Sequence, residues 1–155
     1  MEITYSLQGD DLISQAMTDP RFIKGPLRTF LTAAGHTVQR EGMIRAPVDT
    51  GRMRASIIAV VRPLQATISP TVGYALFVEE GTRPHWPPVG ALQPWSRRHG
   101  FPSAFVLARA IAARGTRPHP FMRPALSASM STIRSLLNDM KKAIEGRWSR
   151  GQTME

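Results

Sequence analysis

Leu126, Met130, Ile133, Leu137, Met140 and Ile144 follow one another in alternating steps of four and three, beginning just past Pro124. That spacing places all six side chains on one narrow stripe of an α-helix, and a stripe of this width suits docking on a single partner helix. The partner lies far upstream. Leu27, Phe30, Leu31, Ala34 and Val38 also recur at helical spacing, with Arg28 and Gln39 outside their stripe. Asp19-Pro20 is a good start for this first helix, since aspartate caps free amides and proline occupies the first turn without forfeiting a needed bond. Gly25-Pro26 delays or kinks the start, and the helix is expected to end near Ile44.

Between the two stripes the periodicity changes. Ile57-Ile58-Ala59-Val60-Val61 and Ala66-Thr67-Ile68-Ser69 are β-forming runs separated by Pro63-Leu64, which predicts a hairpin. Glu2 to Leu7 alternates as a strand does, and a short helix is expected after it. Tyr74, Phe77, Val78 and Gly81 recur at helical intervals, so a short helix should pack on the hairpin and end at its glycine. The prolines and Trp86 between Arg83 and Pro88 indicate an extended loop. Ala91 to His99 and Pro102 to Arg114 then read as two short helices stopped by Gly100 and Gly115, forming a helical insertion over residues 83–116. Within it, Ala104 to Ala113 carries a single charge and is too apolar to lie freely on a surface.

The expected fold class is therefore α+β: a small, mostly antiparallel β-sheet packed against a long N-terminal helix and a C-terminal helix, with a helical insertion. With 155 residues, a single domain over 1–146 with a flexible C-terminal tail at 147–155 is the natural division. The sequence has no cysteine, which excludes disulfides, thiolate metal sites and cysteine nucleophiles. No apolar run reaches the roughly 18 residues of a membrane span, and no basic segment leads into an apolar one at the start, so neither membrane insertion nor conventional secretion is expected.

Charge is distributed in blocks. Residues 1–20 hold four acids and no base, residues 21–54 hold seven bases against two acids, and residues 83–124 hold seven arginines and no acid. Of twenty bases only three are lysine, and arginine's planar, bidentate contacts suit interfaces with protein or with nucleic-acid backbone.

Three clusters stand out from this background. The first is Ala46-Pro47-Val48-Asp49-Thr50-Gly51-Arg52-Met53-Arg54-Ala55-Ser56-Ile57, in which Asp49, Thr50 and Gly51 supply the acceptors and backbone freedom of a tight turn. The second is Tyr74-Ala75-Leu76-Phe77-Val78-Glu79-Glu80-Gly81-Thr82, and the third is Arg117-Pro118-His119-Pro120-Phe121-Met122-Arg123-Pro124-Ala125-Leu126. In this order they resemble the neck and tail-completion (minor tail) proteins of long-tailed, siphovirus-type phages and prophages, over roughly residues 20–145. The insertion between Thr82 and Arg117 is longer than in the simplest members of that group.

The resemblance implies a virion structural protein without an enzymatic step or cofactor, working at the neck or upper tail. It implies self-assembly around the tail axis, six copies being a natural count. Neighbouring neck or tail-tube proteins would be its partners, genomic DNA a transient contact, and the host cytoplasm the place of assembly. On this reading Asp49 caps its turn, and Arg52 or Arg54 reaches Glu79 or Glu80, either in the same subunit or across an interface. Phe121 fills a neighbour's pocket with Arg123 at the rim, and the apolar Pro102–Arg114 helix adds a second interface.

The competing expectation is a sequence-independent nucleic-acid-binding protein that uses the basic blocks, with Trp95, Arg97 and Arg98 as its candidate contact. Catalysis has little support. His36, His85, His99 and His119 lack the spacing of a metal site, and no glycine-rich phosphate loop or serine elbow occurs. Arg83-Pro84-His85 and Arg117-Pro118-His119 bracket the insertion and read as its stiff anchor points.

Overall fold

The computed structural model describes residues 20–152, and the strand and short helix expected before Asp19 lie outside the described residues. The order of elements is α1 (Pro20–Arg45), α2 (Arg52–Ala55), β1 (Ile57–Arg62), β2 (Gln65–Pro70), α3 (Ala75–Glu80), α4 (Val89–Arg98), α5 (Ala104–Arg114) and α6 (Met122–Gln152). The class is α+β, with a two-stranded antiparallel sheet against the two long helices.

Helices α1 and α6 run antiparallel. A side chain at Gly25 would meet Arg147 near one end of the pair, and one at Gly42 would meet the Met122 sulfur near the other. The two predicted stripes form one core, in which Phe30, Leu31, Ala34 and Val38 of α1 pack with Ile133 and Met140 of α6, flanked by Leu126, Met130, Leu137 and Ile144. Burial of such side chains contributes about 1.5–3 kcal/mol each, and this contact carries much of the stability. Pro26 lies inside α1 and is buried, yet the helix continues through it. One missing ladder bond is outweighed by the packed face around it.

The hairpin closes in the register Ile57↔Pro70 through Arg62↔Gln65, with Pro63-Leu64 as its loop. Period-two alternation sends Ala66 and Ile68 to the α1 side, while Ile58 and Val60 remain about two-fifths exposed on the other face. Helix and sheet approach closely at Gly35, where an added Cβ would stand 3.6 Å from both Ala59 and Ala66. The Gln39 amide seals this edge by donating to the Ile57 carbonyl at 2.8 Å.

α6 departs from expectation at both ends. It begins at Met122, two residues before Pro124, and it runs through Gly146 to Gln152. Thus 147–152 is helix, not tail, and residues 153–155 lie outside the described residues. Nothing lies within 4 Å of where a Gly146 Cβ would be, so that glycine is an open helix position and not a stop.

Candidate functional site

The start of α6 is determined by a residue far away in sequence. Glu79 is only 3% exposed, and its carboxylate accepts three backbone hydrogen bonds: from Phe121 at 2.7 Å, Met122 at 3.0 Å and Arg123 at 3.1 Å. A helix leaves its first N–H groups without intrahelical partners. Here three are satisfied by Glu79, proline supplies no N–H at position 124, and Ala125 makes the first intrahelical bond to Phe121 at 3.1 Å. The negative charge also sits at the positive end of the helix. Ser103 provides the local equivalent for α5, accepting from the Phe105 N–H at 3.1 Å.

Around this cap the three clusters meet. Ala46 and Met53 from the first, Ala75 from the second, and Phe121 and Met122 from the third form one core with Ile57, joined by Met43, Val72 and Val78. Phe121 is 1% exposed in it. The expectation of Phe121 in a neighbour's pocket is therefore corrected, since the ring already occupies a pocket of its own chain. Arg123 does lie at the surface, where it bonds Glu80 at 3.2 Å. Within the chain that pair stands where the expected links would, since no ion pair joins Arg52 or Arg54 to Glu79 or Glu80 among the described residues. Both arginines are exposed on the four-residue α2, which Gly51 enters at φ 78° without a side-chain cap.

Asp49 does not cap its own turn. Arg98, at the end of α4, holds its carboxylate through two donors, Nε at 2.9 Å and Nη2, while His99 Nε2 lies 3.1 Å from Oδ1. The Arg98 hydrogen bond is the chief reason that the Asp49 carboxyl is held below the usual aspartate range; desolvation opposes it and His99 reinforces it. The same bond raises the Arg98 guanidinium. Trp95 is half-buried, stacked on His99 at 4.3 Å and tilted against Phe101 at 5.2 Å. Of the candidate nucleic-acid contact, Arg97 is exposed, Arg98 is paired with an acid, and Trp95 is engaged within the chain.

The insertion closes at its base. Thr82 and Thr116 form an antiparallel bridge, with N–H to carbonyl distances of 3.2 and 3.1 Å and their hydroxyls 3.1 Å apart. Gly81 at φ 73° and Gly115 at φ 72° make this approach feasible, since an added Cβ would meet the Thr116 carbonyl oxygen at 2.5 Å and the Thr82 oxygen at 1.9 Å respectively. His119 donates its backbone N–H to the Val78 carbonyl at 2.8 Å, tying the exit to α3, with Arg117 and Pro118 exposed on the way.

Between α3 and the insertion runs an open groove of about 1240 Å³. Phe77, Leu92, Trp95, Leu107 and Ile111 contribute apolar lining, and Arg83, Arg114 and Arg117 lie along it with Glu80 as its one acid. Phe77 is 58% and Tyr74 44% exposed. On α5, Phe105 and Val106 are also more than half exposed, while Ala104 and Ala108 are buried and Trp86 meets Phe105 edge-on at 5.6 Å.

Among the described residues no group of three or more histidines and acids is placed to hold a metal ion, and no helix is long and apolar enough to cross a membrane. No protein-family model, curated protein or solved structure matches the chain. The Arg98 and His99 partners of Asp49 escaped sequence reasoning, although an arginine-histidine pair at a helix end in an acid-free stretch was a visible signal. The Glu79 cap left no local signal.

Proposed function

We propose that the chain is a structural virion subunit of a long-tailed phage or prophage, acting in tail completion or head-tail joining at the neck by ring-type self-assembly. The observation that carries this reading is the convergence of the three clusters: segments separated by tens of residues share one core and one buried carboxylate. Their signature-like composition is then the composition of a single structural unit. Ring closure by rotation requires two different, complementary faces on each copy. The cluster end offers one such face, with exposed Tyr74 and Phe77 beside an arginine-lined groove. Partners would be further copies and the adjoining neck or tail-tube proteins, in the virion and, before that, in the host cytoplasm.

The nucleic-acid reading is less favoured because Arg98 and Trp95 already have partners within the chain. Deletion from a phage that encodes the chain is expected to leave filled heads and tails unjoined or incomplete by electron microscopy. Complete, infectious particles without it overturn the reading.

A further inference from the structure

The groove between α3 and the insertion is open, apolar along its length and lined by three arginines against one glutamate. The chain contains a segment of opposite character. Residues 1–19 carry Glu2, Asp10, Asp11 and Asp19 with no lysine or arginine, and Ile3, Tyr5, Leu7, Leu12, Ile13 and Met17 supply apolar side chains. Acids would meet Arg83, Arg114 and Arg117 while apolar side chains cover Phe77 and its neighbours, the usual pattern of an anchored centre with a charged rim.

The assembly reading above points to a second copy as the source. Residue 20 begins α1, whose 26 residues span about 39 Å. The groove lies at the opposite end of the α1–α6 pair, where α3 caps α6 through Glu79. Residue 20, to which the acidic segment is joined, and the groove thus lie at opposite ends of the helix pair, which suits a head-to-tail contact between copies.

Resting on the assembly reading above, we infer that the groove receives the acidic segment 1–19 of a neighbouring copy, so that each subunit grips the next. This assigns the basic block of the insertion to protein recognition, and it gives the exposed Phe77 a partner.

The test is a charge swap in the full chain. Asp10→Arg/Asp11→Arg reverses the segment, and Arg114→Glu/Arg117→Glu reverses the groove. Arg114 and Arg117 lie outside the two cores, and unchanged thermal melting checks that each variant folds. Each variant alone is expected to lose oligomer by light scattering, whereas mixing the two restores it, because each then offers the other a complementary pair. A labelled peptide of residues 1–19 is expected to bind the full chain at least about tenfold more tightly than the groove-reversed variant. Equal peptide binding to both proteins overturns the inference. So does restoration only when all four changes share one chain, which identifies the occupant as the chain's own segment. Rings that persist in both variants overturn this inference alone, whereas virions that need no copy of the chain overturn the assembly reading.

Discussion

Glu79 accepts the backbone N–H of Phe121 at 2.7 Å across 42 residues of sequence, so a side chain on the short α3 sets where the longest helix begins. With Met122 and Arg123 on the same carboxylate, this one residue joins the second cluster to the third. The joint is buried, with Glu79 only 3% exposed.

Glu79→Ala is therefore expected to destabilise the chain by about 3 kcal/mol, since it strands several buried donors at once. Glu79→Gln keeps an acceptor oxygen and is expected to cost less than half as much. Urea unfolding followed by circular dichroism measures both, and equal stability of Glu79→Ala and the parent would exclude the capping role.

The glycines at the base of the insertion should be far less replaceable than the one in the turn. Gly51 has positive φ but open space around its Cβ position, so Gly51→Ala is expected to cost about 1–2 kcal/mol of backbone strain. Gly115→Ala must in addition push away the Thr82 carbonyl, 1.9 Å from the new carbon. Its loss is expected to exceed that of Gly51→Ala by at least about 2 kcal/mol, with faster hydrogen exchange at the Thr82 and Thr116 amides.

Two phenylalanines should separate folding from association. Phe121→Ala removes a fully buried ring and is expected to cost about 3–5 kcal/mol in stability. Phe77→Ala, on an exposed ring, is expected to leave the melting temperature within a degree or two while weakening self-association. Melting curves alongside sedimentation at several concentrations distinguish the two, and matching melting losses would contradict the burial difference.

The Asp49–Arg98 pair gives the insertion a pH dependence of definite sign. A carboxyl held below its ordinary value of 3.8 contributes stability that is present in full above that value and lost as the pH falls through the depressed one. Both partners are partly exposed, so the effect is local and modest. Protection of the α4 amides, relative to their intrinsic exchange at each pH, is expected to fall as the pH drops below the ordinary value of 3.8, and Asp49→Asn should show the lower protection at neutral pH already.

The long helices were legible because stripes such as Leu126 to Ile144 report their own period whatever they touch. The hairpin was legible for the same reason. Phe121 was not, since an aromatic residue among prolines and arginines has the same composition in a core as on an interface. Burial depends on Met53 and Ala75, which are distant in sequence. The start of α6 was misjudged at Pro124 because its cap is Glu79, and no local pattern announces a cap supplied from another helix. Gly146 misled in the opposite sense, since a glycine with open space around it weakens a helix without ending it. For Asp49, turn chemistry suggested a local bond, but the bidentate Arg98 fork won the carboxylate.

The Thr82–Thr116 clasp has a consequence for how such a chain can change. Because the chain leaves and rejoins the body at one bridged pair, with Arg98 and His99 tied to Asp49 beyond it, the excursion can lengthen or shrink elsewhere while the helix pair and hairpin stay in register. The body then acts as a socket of constant shape, and the excursion as a fitting that can vary without disturbing it.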